Sequence, residues 1–271
     1  MKEPQRKAQA TYNAAADHFD DPANAYWDRY GRRTVEQLQP RPGLKILDLA
    51  CGTGASALPA AEAVGPTGQV VAVDVADRLL ALARTKAKGR GLDQVEFRNG
   101  DMTRLGLPDT SFDTVVCVFG IFFVPDMQAL VAELWRMVRP GGRLAITTWG
   151  PNLFEPMYSA FDQALQDERP DLVSDFRPWD RLTEVHAVEK LLAESGAAAI
   201  EVMAEEGQQA LASPESWWSV VLGSGLRAAV ETMGPASAAR VRAHNFAFIR
   251  AHGVESITTN VIYGRATKAH V

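Results

Sequence analysis

The sequence predicts an α/β protein built on a doubly wound, mostly parallel sheet. Three observations carry that expectation: short apolar runs alternate with helical stretches, a glycine-rich loop joins the first run to a helix, and an acid closes the second run. Lys45 to Leu49 suits a strand buried on both faces, and Gly52-Thr-Gly-Ala-Ser-Ala57 follows it with the spacing G-x-G-x-x-A. The first glycine permits a tight turn, the second leaves bare backbone for a ligand to approach, and the small Ala57 lets the next helix pack on the sheet. Gln69 to Asp74 is the second strand. Asp74 lies about twenty residues beyond the glycines, where doubly wound folds place an acid that grips ribose hydroxyls.

Ahead of the sheet, Ala8, Tyr12, Ala15 and Phe19 recur at helical spacing. Trp27, Tyr30, Val35 and Leu38 do the same after a break at Asp20-Asp-Pro22, so two helices are expected over residues 1–40. Pro40-Arg-Pro-Gly43 separates them from the first strand. Beyond the second strand, Asp77 is expected to cap a helix from Arg78 to Lys88 that Gly89 and Gly91 end, giving a right-handed crossover into a third strand at Val95 to Arg98. Thr114 to Val118 is the fourth strand. Asp126 is expected to cap a helix with the stripe Leu130, Leu134, Met137 and Val138, stopped by Pro140-Gly-Gly142, and Arg143 to Trp149 is the fifth strand. Ala199 to Met203 and Ser256 to Gly264 read as the sixth and seventh strands. The expected organisation is a helical lid over 1–40 and one domain over 41–271, with helical cap insertions at about 150–198 and 211–253.

Asp48 bears on the ligand. It lies inside the first strand just before the loop and would set a negative charge close to the pyrophosphate of a dinucleotide. S-adenosylmethionine has no phosphate and brings a sulfonium and an ammonium instead, so the loop reads as a methyl-donor site. Asp48-Leu-Ala-Cys-Gly-Thr-Gly54 resembles the glycine-rich motif of the seven-stranded class I S-adenosylmethionine-dependent methyltransferases. Within them, the chain is most similar to the small-molecule subgroup related to the ubiquinone and menaquinone biosynthesis methyltransferases, from about Tyr12 to Trp149. The resemblance implies a Rossmann-like sheet with an antiparallel last strand, S-adenosyl-L-methionine as cofactor and S-adenosyl-L-homocysteine as product. It implies donor binding by Ala50, Val75, Gly100 and Phe119 together with Asp48, Gly52, Gly54 and Asp74. Asp101 and Met102, in Asn99-Gly-Asp-Met102, would meet the exocyclic amine and ring of adenine. In that family the amino-terminal helices fold over the donor, which would put Tyr12 and Trp27 at its methionine end; docking of those helices on the core accounts for the same aromatics.

For the acceptor, the segment after the fourth strand lacks the Asn/Asp-Pro-Pro-aromatic tetrapeptide of nucleobase and glutamine N-methyltransferases and offers Phe119 and Phe122 as an apolar wall. Phe154, Tyr158, Trp179 and Trp217 in the inserted segments are expected to line the pocket of a small-molecule acceptor with apolar or aromatic character. Alignment and desolvation can supply most of the rate, with His18, His186 or Tyr158 as candidate bases. No His, Cys or Asp cluster has metal-ligand spacing, so no metal is expected. A net charge of -5 argues against a nucleic-acid partner, and no apolar run is long enough to span a membrane. The polar amino terminus lacks the apolar core of a secretory signal, and the two cysteines, Cys51 and Cys117, suit a reducing compartment, so a cytoplasmic location is expected. The competing readings are an NAD-dependent oxidoreductase of Rossmann type and a non-catalytic S-adenosylmethionine-binding module. The methylated atom and the oligomeric state are left open.

Overall fold

A computed structural model describes residues 3–173 and 176–270. Met1, Lys2 and Val271, at the ends of the expected lid and domain, and Ser174 and Asp175, within the expected cap, lie outside the described residues. The chain begins with helices α1 (Glu3–Ala15) and α2 (Tyr26–Leu38). It continues through β1 (Lys45–Leu49), α3 (Ala57–Val64), β2 (Gln69–Asp74), α4 (Asp77–Gly89), β3 (Val95–Asn99), β4 (Phe112–Val118), α5 (Met127–Met137) and β5 (Val138–Trp149). Then come α6 (Met157–Glu168), α7 (Val185–Glu194), β6 (Ile200–Glu205), β7 (Gln208–Ala210), α8 (Pro214–Leu222), α9 (Arg227–Met233), α10 (Pro235–His252), β8 (Ser256–Thr258) and β9 (Val261–Thr267).

Seven strands form one sheet in the order β3-β2-β1-β4-β5-β9-β6. The first five are parallel, and β9 runs antiparallel to both β5 and β6. The register sets Leu47 beside Val71 and Val115, all three buried, which explains why these strands read as unbroken apolar runs. The chain order reverses between β1 and β4, so the carboxyl ends of β1, β2 and β4 open on one crevice, the usual ligand position in such sheets.

Three local expectations are corrected. Asp77 does not cap α4: Ala76 holds the cap position without a side-chain bond, and Asp77 is the first helical residue, where its charge meets the positive end of the helix dipole. Val138 and Pro140-Gly-Gly142 belong to β5, because α5 ends at Met137 and the chain enters the sheet at once. The expected seventh strand divides: Ser256–Thr258 pairs with Gln208–Ala210 in a separate ribbon, and Val261–Thr267 alone joins the sheet. Within the expected cap, α7 packs on the sheet, where Val188 and Leu192 close over the bare backbone of Gly264.

Candidate active site

The glycine loop is held by backbone contacts and by one buried acid. Cys51 N–H donates to Val73 O at 3.2 Å and Gly54 N–H to Cys51 O at 2.8 Å, which folds the loop back on itself. Gly52 and Gly54 adopt φ of 52° and 92°, a region costly for any side chain, and a Cβ at Gly54 would lie 2.8 Å from Leu58 Cγ. Below the loop, Asp48 is buried and accepts a 2.7 Å bond from Ser56 Oγ, while its Oδ1 has no partner. Burial pushes its carboxyl up to about 7, opposed by the Ser56 bond and aided by the charge of Asp74.

Asp74, at the end of β2, faces the loop across the crevice. Its Oδ2 accepts from Gly52 N–H at 2.9 Å and its Oδ1 from Ala76 N–H at 2.8 Å, which fixes the carboxylate plane and leaves one lone pair on each oxygen for a ligand. Burial raises its carboxyl above the usual range, against the pull of those backbone bonds. Thus the first glycine of the loop and the acid expected to meet ribose hydroxyls are joined directly.

These groups border a pocket with about 100 Å³ of internal space. Ala50, Gly52, Asp74, Val75, Asp101, Met102 and Phe119 line it, as does Tyr12 from α1. Asp48, Gly54 and Gly100 do not; they stand behind the lining and shape it. Ala50 and Phe119, the residues just past β1 and β4, take φ of 54° and 53°, strain of the kind that gathers at ligand sites. Asp101 is turned partly inward on itself, its Oδ1 accepting from Thr103 N–H and Oγ1. The pocket has an amino-terminal roof: Gln9 Nε2 donates to Val75 O at 2.8 Å, and Arg78 binds the Asn13 carbonyl, fastening α1 across the ends of β2 and α4. Phe19, Trp27, Ser56, Leu79 and Phe123 also line it. Phe19 and Trp27 had a helical-spacing signal, whereas nothing local in the sequence marks Leu79 or Phe123.

Two further cavities adjoin it. A small aromatic chamber, with about 20 Å³ of internal space, lies across Tyr12 and Trp27, which line both spaces. Its other walls include Phe122, Trp149, Phe154, Tyr158, Trp179 and the segment Ser224-Gly-Leu226. Phe119 stacks on Trp149 at 3.9 Å, and Trp27 stacks on Phe19 at 5.1 Å, so the partition between chamber and pocket is a packed aromatic layer. Beyond the chamber an outer groove of about 1000 Å³ runs between α1, α6 and α9, sharing Tyr12, Phe122, Tyr158, Trp179, Gly225 and Leu226 with it.

The structure separates the remaining candidates. Trp217 lines none of the three spaces; it is fully buried, with its indole N–H donating to Asn245 Oδ1 at 2.6 Å, and it holds α8 on α10. His186 is exposed on α7, away from all three spaces. His18 is half-buried in the turn after α1 and lines none of them; its backbone carbonyl takes an Asn24 bond. Tyr158 does line the chamber, but burial raises its phenol well above the ordinary value, which keeps it protonated and makes it a donor. No group of three or more His, Cys, Asp or Glu side chains among the described residues could hold a metal ion, and no helix among them is long and apolar enough to cross a membrane.

Residues 46–142 match a protein family described as "Methyltransferase domain". The chain is 36% identical over 136 residues to nocamycin O-methyltransferase of Saccharothrix syringae, covering 50% of this chain and 49% of that protein. It is 32% identical over 154 residues to the ubiquinone/menaquinone biosynthesis C-methyltransferase UbiE of Shewanella frigidimarina, covering 56% and 60%. The chain thus spans about half the length of the curated relatives it matches. Among solved structures, the [4+2]-cyclase SpnF superposes with a TM-score of 0.56 at 20% identity, over 90% of this chain and 81% of that one, a likeness of fold. Residues 46–142, which hold the glycine loop and Asp74 on the seven-stranded sheet, are thus the part of the chain that is similar to a methyltransferase domain.

Proposed function

We propose that the protein transfers a methyl group from S-adenosyl-L-methionine to a small-molecule acceptor. The observation that supports this reading is the arrangement of Gly52, Asp74 and Asp48: backbone amides fix the Asp74 carboxylate at the pocket wall, and a second buried acid, Asp48, lies beneath the loop, where its charge would oppose the phosphate of a dinucleotide. Asp74 would hold the ribose hydroxyls, Asp101 and Met102 the adenine, and Ala50, Val75 and Phe119 the body of the donor. Tyr12 and Trp27 would stand at its methyl end, between donor and acceptor.

The aromatic chamber is then the place for the acceptor's reacting group and the outer groove the place for its body. Residues 1–40 act as a lid, and the segments at about 150–198 and 211–253 choose the acceptor. Methyl transfer is an in-line displacement at a carbon already activated by the sulfonium, so the chain's contribution is alignment and exclusion of water. A cytoplasmic location belongs to the same reading, with Cys51 and Cys117 both buried as free thiols.

A second reading, that the fold hosts a reaction other than methyl transfer, is favoured by one observation, the cyclase of the same architecture. Calorimetry with S-adenosylmethionine, S-adenosylhomocysteine and NAD tests donor recognition. Binding of the first two without NAD is expected, and tight NAD binding without them would overturn the proposal. A donor that binds and is never demethylated with any acceptor would favour the second reading.

A further inference from the structure

The glycine loop has a second fastening, made by groups that do not line the pocket. Thr53 lies between Gly52 and Gly54, and among the described residues its side chain is the one in 51–55 that hydrogen-bonds outside the loop. It is 1% exposed, and its hydroxyl fills both of its roles: Thr53 Oγ1 donates to Asp20 Oδ1 at 2.8 Å and accepts from Lys86 Nζ at 2.9 Å. Lys86 Nζ also donates to Asp20 Oδ1 at 2.6 Å, which closes a ring of three bonds. Asp20 comes from the turn after α1, Thr53 from the loop and Lys86 from the last turn of α4. Every bond of the ring has a charged partner, the stronger class of hydrogen bond. The turn that offers Asp20 is itself braced: Asp21 accepts from Ala23 N–H and from Ser219 Oγ, both at 2.9 Å, and Asn24 Nδ2 donates to His18 O at 2.8 Å.

Asp20 and Thr53 each follow a residue that does line the pocket, Phe19 and Gly52. Those two residues meet: a Cβ on Gly52 would lie 3.6 Å from Phe19 Cζ. Gly52 N–H is also one of the two amides that fix the Asp74 carboxylate. A shift of Thr53 therefore shifts the amide aimed at Asp74, and a shift of Asp20 shifts the ring that closes over Gly52. We infer that Lys86 is a positioning residue for the donor: its ammonium holds the Thr53 hydroxyl and the Asp20 carboxylate together, and so sets the glycine loop and Phe19 at the spacing the donor needs. The inference rests on the methyl-transfer reading and adds to it a residue that does not touch the donor. Arg78 shows what a plain anchor of the amino-terminal helices looks like. It reaches from the same helix α4, and its bonds go to Asn13 and Asp17, not to the loop. Lys86 instead joins those helices and the loop at one point.

The test is calorimetry of the full chain with S-adenosylhomocysteine, on the parent and on Lys86→Met, Thr53→Val, the double variant carrying both changes, and Lys86→Arg. Each single change keeps most of the side-chain bulk, and thermal melts establish that every variant is folded at the temperature of the titration. Lys86→Met should weaken binding about tenfold, the order of one lost charge-assisted bond, and Thr53→Val by a similar factor. Because both residues act through one ring, the double variant should fall within about twofold of the weaker single variant, whereas independent effects would multiply. Lys86→Arg keeps the charge and should recover most of the affinity. A merely structural role would lower the melting temperature and leave the affinity of the folded protein unchanged. Unchanged affinity in Lys86→Met, a double variant whose loss is the product of the single losses, or an arginine variant as weak as the methionine one would overturn the inference. If the parent itself does not bind S-adenosylhomocysteine, it is the methyl-transfer reading that has failed.

Discussion

The pocket we assign to the donor and the aromatic chamber share Tyr12 and Trp27 as walls, yet they are built by opposite means. The pocket is made of strand ends and backbone: amides of Gly52 and Ala76 aim at Asp74, and residues immediately past β1 and β4 take left-handed conformations to expose that backbone. The chamber is made of side chains brought from six separate stretches: α1, α2, the segment after β4, the end of β5, α6 with its following turns, and the loop between α8 and α9. A site made of backbone constrains residue type at fixed spacing, whereas a site made of packed rings constrains only volume and shape. The first can keep one ligand while the second changes.

The largest effect should separate fold from chamber. Trp217→Ala removes a fully buried indole and strands Asn245 Oδ1, so it should cost about 3 to 5 kcal/mol of stability. Because Trp217 lines neither space, the folded fraction should bind S-adenosylhomocysteine normally, as chemical denaturation paired with calorimetry would reveal. A variant that stays stable but loses acceptor turnover would return Trp217 to the chamber.

Next comes Asp74→Ala, which removes the partner of two backbone amides and, on the proposed reading, of the ribose. Charge-assisted bonds contribute about 1.5 to 3 kcal/mol, so donor affinity should fall roughly tenfold to a hundredfold, with turnover at saturating donor much less affected. An unchanged donor dissociation constant would separate Asp74 from the ligand and erase the backbone-built half of the contrast.

Asp48 gives a smaller, pH-dependent effect. Its carboxyl is raised to about 7 in the folded chain, against 3.8 for an aspartate exposed to water, so the folded chain binds the proton more tightly than the unfolded chain does. Stability contributed by this group is therefore full below the unfolded value and is lost as pH rises toward 7. Asp48→Asn should be more stable than the parent at pH 8 by on the order of 1 to 2 kcal/mol and should flatten the decline between pH 5 and pH 8, followed by thermal melts at stepped pH. The same variant should bind the cationic donor more weakly. A parent whose stability rises over that range would contradict the assignment of Asp48 as a strained buried acid.

How much was legible follows from the same contrast. Gly52, Gly54 and Asp74 could be read because a turn with positive φ and an acid one strand later leave a fixed pattern, and the aromatics Tyr12 and Trp27 showed through helical periodicity. The placement of Trp217 could not be read: whether an indole in an inserted helix faces a cavity or a neighbouring helix depends on Asn245, 28 residues away. Gly225 escaped notice for a similar reason. It takes no unusual φ, and it matters because a Cβ there would stand 3.1 Å from Trp179 Cζ3, a contact made between two loops. The split of the last expected strand had no local signal either, since β8 leaves the sheet to pair with β7.

The smallest effect is an expected absence of change. Trp179→Ala removes a wall shared by the chamber and the outer groove, and Trp179 does not line the pocket assigned to the donor, so donor affinity should stay within about 0.5 kcal/mol of the parent while acceptor binding changes. A parallel loss of donor and acceptor binding in calorimetry would mean that the two regions are one site.

The most direct measurement is a crystal structure with S-adenosylhomocysteine bound. The adenosine ribose should lie on Asp74 and the sulfur beside Tyr12 and Trp27, facing the chamber lined by Tyr158 and Trp179. A ligand whose ribose lies away from Asp74, or whose sulfur points away from that chamber, would contradict the division into a backbone-built donor pocket and a ring-built acceptor chamber.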